Sequence, residues 1–303
     1  MTPATSEPPH PVHTASWAPS SPCGPGCLQD DEAAVSQVRV VVRLIRLVAV
    51  LCAAVLVGAV LAVPVLGGPA RARWLSACCR AALTAVGVRL RVNGGPYSDG
   101  AGVLVVANHM SWIDVLAMAA VEPVRMLAKH EVRDWPVIGP LAARSGALFV
   151  DRAGLRALPA TVDATAQALR SGSVVGVFPE GTTWCGQAAG PFRRAAFQAA
   201  IDAGAQVRPV AFELRRPDGT PDRSSAFVGD QTLWDSLHRV LRLPALICEL
   251  TVLPAIPAGS AADRRELARM AADAVAAVTG VPHTAQWQQP LGGAAGPVRV
   301  EAA

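Results

Sequence analysis

From Leu47 to Leu66 the chain runs for about twenty residues without a charge, entered through Arg39, Arg43 and Arg46, and a helix of that length crosses a hydrocarbon core of roughly 30 Å. Such a run must be sheltered on every side, by lipid or by the rest of the protein. Its length and basic entry point to lipid rather than to a buried core helix. Pro64, Gly67, Gly68 and Pro69 then form a strong turn signal. Arg71 and Arg73 open a second, shorter segment, Trp74 to Val88, whose apolar face is broken by Arg80. Arginines thus flank the run on both sides, which a hairpin dipping into one leaflet satisfies better than a single crossing. The expectation is a membrane-embedded helical hairpin over residues 37–92, with a true span as the alternative.

Composition agrees. Apolar residues make up 51% of the chain and charged residues only 17%, against about 25% in average soluble domains. The net charge of +4 suits a surface that meets anionic lipid. No Lys/Arg block with interleaved aromatics occurs, so nucleic-acid binding is set aside. The seven cysteines are odd in number, two are adjacent, and Cys52 lies inside the apolar run. That is a poor disulfide framework, and no Cys/His spacing resembles a zinc site. The expectation is a cell-membrane protein whose working domain faces a reducing cytoplasm, with no metal and no bound cofactor.

Residues 1–36 are rich in Pro, Ser, Thr and Gly and lack hydrophobic periodicity, so they are expected to be disordered. Their polar start does not resemble a secretory signal. Between residues 93 and 280 the pattern alternates. Strands are expected at Val103–Ala107, Val124–Ala128, Ala147–Val150, Val174–Phe178, Val207–Leu214 and Ala245–Leu253. Helices are expected at Trp112–Ala120, Leu158–Arg170, Phe192–Ala203, Leu233–Leu241 and Arg264–Val278, and Trp135–Ala143 reads as an irregular or short helical connection. This alternation predicts an α/β domain, a mixed sheet flanked by helices. The tail, 281–303, is expected to be loose.

The chemistry concentrates in Asn108-His109-Met110-Ser111-Trp112-Ile113-Asp114, directly after the Val103–Ala107 strand. A strand end opening into a helix is where α/β folds place their chemistry. Five residues along one continuous helix rotate about 140°, so His109 and Asp114 would not share a face. They meet if His109 lies in the turn before the helix and Asp114 one turn inside it. The carboxylate would then fix the imidazole tautomer and raise the basicity of the other nitrogen, as a general base requires. Ser111 is a weaker candidate nucleophile, since no Gly-x-Ser-x-Gly elbow surrounds it. Taken alone, His109 beside Asp114 reads more readily as a histidine capping a helix.

Further blocks accompany it. Gly146-Ala147-Leu148-Phe149-Val150-Asp151-Arg152, Phe178-Pro179-Glu180-Gly181-Thr182 and Val207-Arg208-Pro209-Val210 follow in order, with Lys129, Pro136 and Gly139 between. Together the four blocks resemble the glycerolipid acyltransferase family typified by lysophosphatidic acid acyltransferases, from roughly Asn93 to Leu253. The resemblance implies transfer of a fatty acyl group from acyl-CoA or acyl-carrier protein to a lysolipid hydroxyl at the membrane. The first expected acceptor is 1-acylglycerol-3-phosphate, giving phosphatidic acid.

By residue, the resemblance implies His109 as the base, Asp114 as its partner and Asn108 as support for the turn. Lys129 and Arg152 would offer positive charge to the head group or the carrier's phosphates, and Glu180, Gly181 and Thr182 would shape the acceptor site. Backbone amides near the Trp112 helix start would hold the oxyanion. The family usually carries an arginine directly after Glu-Gly-Thr, but Thr183 stands here. Either Arg193 or Arg194 replaces it, or the acceptor is one such as lyso-ornithine lipid. A hydrolase using Ser111 and a non-catalytic lipid-binding membrane protein are the rival readings.

Overall fold

A computed structural model describes residues 19–29, 34–60, 68–150 and 157–284. The first helix, α1, spans Gln37–Val60 and starts well before the uncharged run, so all three entry arginines lie on it. It packs against α2, Gly68–Val86, and the two form a helical hairpin. The turn signal at Pro64 and Gly67 lies outside the described residues. One stripe of α1 carries Val40, Arg43 and Ala54, buried against the domain. The opposite stripe exposes Val38, Val41, Ile45, Val48 and Leu56, at 74% and 67% for the first and last. A helix apolar on both stripes, one without a protein partner, suits lipid contact. Among the described residues it is the one helix long and apolar enough to cross a membrane, over Gln37–Val57.

Arg43 is the joint between hairpin and domain. Its guanidinium donates to the carbonyls of Leu241, Leu243 and Pro244 at 2.8, 2.6 and 3.1 Å. These acceptors surround the C-terminus of helix α7, Leu233–Arg242, where unpaired carbonyls and the helix dipole favour a cation. Gly87 has a positive φ of 90°, and a Cβ there would run into this guanidinium. A residue without a side chain is therefore required at the join between α2 and the sheet.

The sheet has seven strands in the order β1-β7-β6-β2-β5-β3-β4, all neighbours parallel except β6 and β7. They are β1 Val88–Asn93, β2 Val103–Ala107, β3 Arg125–Lys129, β4 Leu148–Val150, β5 Val174–Val177, β6 Gln206–Arg215 and β7 Leu246–Val252. Strand β1 was not expected. It begins inside the stretch read as hairpin, but pairs in register with β7 from Val88↔Leu246 to Asn93↔Thr251. Its three exposed arginine and asparagine positions weaken the apolar alternation of an edge strand, which hides it from a periodicity reading.

Central strand β2 is Val-Leu-Val-Val-Ala and wholly buried, as parallel strands covered on both faces are. Val103, Val105 and Ala107 face one core with Ile113, Met118 and Leu83, while Leu104 and Val106 face the other with Phe197 and Leu267. Helices α2, α3 (Trp112–Val121) and α7 cover the first face. Helices α5 (Leu158–Arg170), α6 (Ala195–Ala203) and α8 (Arg264–Thr279) cover the second. A short α4, Ile138–Arg144, follows a 3-10 turn at His130–Asp134. The domain is the expected mixed sheet flanked by helices. Because α3 leaves β2 toward one face and α6 follows β5 onto the other, a crevice opens between the carboxyl ends of β2 and β5.

Both ends of the described chain depart from expectation. Residues 19–29 are folded, with Cys23 buried beside Trp184, Ala226 and Val228. A Pro/Gly-rich segment cannot bury itself, but it can complete a core supplied by others. The start of the tail is also anchored, because His283 is buried at 1% side-chain exposure.

Candidate active site

His109 lies just past the end of β2, with Asn108 between, and Ser111 is the N-cap of α3, which puts Asp114 at the third helical position. An acidic residue there reaches back to the turn. One oxygen, Asp114 Oδ2, accepts from the backbone N–H of Met110 at 2.6 Å and of Ser111 at 2.8 Å. The same oxygen stands 3.1 Å from His109 Nδ1. Asp114 is fully buried, and the His109 side chain is 17% exposed. The carboxylate thus holds the turn and the imidazole together, leaving Nε2 as the nitrogen that Asp114 does not engage. Met110 and Ser111 spend their N–H groups on Asp114, so these two amides are not the oxyanion donors. Ser111 is fully buried.

The Phe-Pro-Glu-Gly-Thr block closes on His109 from β5. Phe178 stacks on the imidazole, with centroids 3.9 Å apart and planes at 12°. Glu180 Oε2 accepts the His109 backbone N–H at 2.7 Å. Its Oε1 accepts from Gly190 N–H at 3.2 Å and lies 3.3 Å from His283 Nδ1. Burial pushes the Glu180 carboxyl above the ordinary glutamate range, against the opposing pull of His283 and the His109 N–H. Gly181 turns the chain at a φ of 77°, and a Cβ there would collide with Pro19 of the N-terminal segment. Thr182 is half-buried beside it.

Asn108 acts as a peptide-like clasp between strands. Its Nδ2 donates to Phe212 O at 2.9 Å, and its Oδ1 accepts from Phe212 N–H at 2.8 Å. Two more bonds fix the turn from outside. Trp184 N–H donates to His109 O and Phe227 N–H to Met110 O, each at 2.8 Å. The Thr183 hydroxyl donates to the Phe227 carbonyl.

A cavity of about 450 Å³ opens at this point, lined by His109, Asn108, Glu180, Glu213, Asp222 and Arg223 among others. Lys129 and Arg193 do not line it. Lys129 ends β3, two strands from β2 in the sheet. Arg193 is exposed just before α6, which starts at Ala195 rather than Phe192. Its N–H donates to Pro179 O at 2.9 Å, and its side chain lies against Gly181. Arg152 lies outside the described residues. His283 and Trp184 escaped the sequence reading. His283 sits in a stretch of no periodicity, and Trp184 was seen only as a neighbour of the missing arginine.

The family model for Acyltransferase matches residues 89–213, which include every block around this site. A lyso-ornithine lipid O-acyltransferase of Pseudomonas aeruginosa is 38% identical over 202 residues, covering 67% of this chain and 75% of that protein. The chain belongs to the acyltransferase family. A 1-acyl-sn-glycerol-3-phosphate acyltransferase of Neisseria gonorrhoeae is 35% identical over 209 residues, covering 69% of this chain and 81% of its relative. The fold of this acyltransferase is also that of the crystal structure of PlsC, the LPA acyltransferase of Thermotoga maritima. That likeness has a TM-score of 0.56 at 17% identity, over 82% of this chain and all of that one.

Proposed function

We propose that this acyltransferase moves a fatty acyl group from a thioester carrier, acyl-CoA or acyl-carrier protein, onto the free hydroxyl of a lysolipid. The observation that carries the reading is the His109 imidazole held through Nδ1 by Asp114 at 3.1 Å, at the wall of the cavity. Nε2 takes the hydroxyl proton as the oxygen attacks the thioester carbonyl. The tetrahedral intermediate collapses, the carbon–sulfur bond breaks, and the thiolate recovers the proton from His109. Burial of Ser111 argues against an acyl-enzyme on that hydroxyl, and so against the hydrolase reading. A lipid-binding protein without turnover has no need of an imidazole oriented by a buried carboxylate.

Asp114 and Phe178 fix the base, while Asn108 and Glu180 fix the backbone that carries it. Gly181, Thr182 and Arg193 border the acceptor side, and Lys129 and Arg152 offer positive charge to the lipid head group or the donor's phosphates. The exposed aliphatic stripe of α1 sits in the cytoplasmic leaflet of the cell membrane, with the domain on the cytoplasmic side.

The first acceptor is 1-acylglycerol-3-phosphate. A second reading, lyso-ornithine lipid, is favoured by the cavity wall. Glu213 and Asp222 line it together with Arg215 and Arg223, Glu213 pairing with Arg215 at 2.6 Å and Asp222 with Arg216 at 3.5 Å, a lining of both signs that suits a zwitterionic head group. Thr183 adds no cation and spends its hydroxyl on Phe227. The test is transfer of labelled acyl-CoA to both acceptors, with wild type and His109→Ala. Loss of a general base should cost about 10²–10⁴-fold. Full turnover by the variant would remove the base assignment. Product from the ornithine acceptor alone would keep the mechanism and replace the first acceptor.

A further inference from the structure

Three thiols with no place in the transfer reaction meet at the edge of the site. Cys23 and Cys27 come from the N-terminal segment, with the 3-10 turn Pro25–Cys27 between them. Cys185 comes from the loop after β5. The three sulfurs all lie within 4.8 Å of one another. Cys23 and Cys185 are buried, and Trp184, Ala226 and Val228 form the apolar wall around them. All three cysteines are free thiols.

The Cys185 sulfur accepts hydrogen bonds from the backbone N–H groups of Gln187 and Ala188, as well as from the two neighbouring thiols. Backbone N–H donors aimed at a sulfur supply the outer support that metal-bound thiolates need. The Cys-Gly-Pro-Gly-Cys turn bends tightly enough to present two sulfurs to one point. Tetrahedral thiolates at ~2.3 Å from Zn²⁺ stand roughly 3.8 Å apart, so the cluster needs to contract by about an ångström at most.

We propose that Cys23, Cys27 and Cys185 form a binding site for a soft divalent cation, Zn²⁺, with a fourth position for water or an external ligand. Three zinc–sulfur bonds form, each thiol gives its proton to solvent, and no electrons move. The sequence concealed the site because its third ligand comes from a segment distant in the chain.

The cation staples the N-terminal segment across the active site. Cys185 is next to Trp184, whose N–H holds the His109 carbonyl. Pro19 packs on Gly181, and Gln29 accepts from Arg223 N–H at 3.1 Å. A bound metal thus fixes one wall of the cavity and, through Trp184, the seat of His109. Its role is structural, because three thiolates from two distant segments close a loop that contacts between small residues hold weakly.

The test uses the full chain, purified in detergent under reducing conditions. Zinc content, competition against a chromophoric chelator, and the spectrum after Co²⁺ replacement are measured. One metal per chain is expected, with intense thiolate-to-cobalt bands and tetrahedral d–d bands. Cys23→Ser and Cys185→Ser should lose the metal, and Cys52→Ser should keep it. Cys27→His should retain cobalt with weakened thiolate bands, a response that misfolding would not give. Zinc lost to the chelator while all three thiols titrate as free would overturn the proposal. So would a disulfide between any two of these cysteines in non-reduced peptide maps of protein kept under reductant. None of these readouts depends on which lipid is acylated.

Discussion

Replacing Glu180 by Gln separates two roles that the Glu-Gly-Thr block could play. If Glu180 shapes the acceptor site, the substitution raises the KM for lysolipid. If it seats His109, it lowers kcat with KM little changed. The geometry favours seating, since Oε2 holds the His109 N–H at 2.7 Å and Oε1 takes Gly190 N–H at 3.2 Å. Glutamine has one acceptor oxygen for these two buried donors. If it serves His109, its amide faces the Gly190 N–H, donor against donor, and if it turns round, the His109 N–H is orphaned. Either arrangement leaves a buried backbone N–H unpaired, at a cost of about 1–3 kcal/mol. Spent on the population of correctly seated His109, this is a loss of roughly 5- to 150-fold in kcat. Steady-state assays at varied lysolipid, with the acyl donor saturating, read the split. A KM increase of about tenfold with kcat preserved would refute the argument and place Glu180 on the acceptor.

Other outcomes follow from the same contacts. Gly87→Ala forces an L-residue into a positive φ and displaces the Arg43 guanidinium. The backbone alone should cost about 1–3 kcal/mol, or ~2–4 °C in Tm per kcal/mol for a chain of this size. In an Arg43→Ala background the penalty should shrink to the backbone part; an unchanged penalty would show that the two residues do not couple. Ile45→Asp with Val48→Asp puts charge on the exposed stripe of α1, at about 2.5–3.5 kcal/mol each if the stripe lies in lipid. Sedimentation with anionic vesicles should drop sharply, and undiminished binding would move the anchor elsewhere. Finally, the raised pKa of Glu180 means that its proton is held more tightly in the folded chain than in the unfolded one. Its contribution to stability is complete below the ordinary glutamate value of 4.5 and is lost as pH rises through the raised one. The Tm advantage of wild type over Glu180→Gln should therefore shrink as pH climbs through that window. A growing advantage would mean that the hydrogen bonds to the carboxylate outweigh its burial.

Much of this protein follows from local pattern. The short Val-rich apolar run at Val103–Ala107 reads as a buried strand. The five-residue step from His109 to Asp114 requires a turn followed by a helix start, because a continuous helix would separate the two side chains. The length and basic entry of the first apolar run determine a long helix in want of lipid. These are properties of neighbours in sequence, set by periodicity, capping and hydrophobic length. What tertiary structure alone decided is everything that depends on distant segments arriving at one place. Strand β1 exists because β7 offers it an edge, and its own sequence is too charged to announce it. Glu180 turned inward to hold the His109 N–H, although its motif suggested a surface for substrate. His283 and residues 19–29, both read as loose, are ordered because buried partners wait for them in Glu180 and Trp184. The physical reason is the same in each case: burial and hydrogen-bond satisfaction are earned between segments far apart in the chain, and no window of sequence contains both halves.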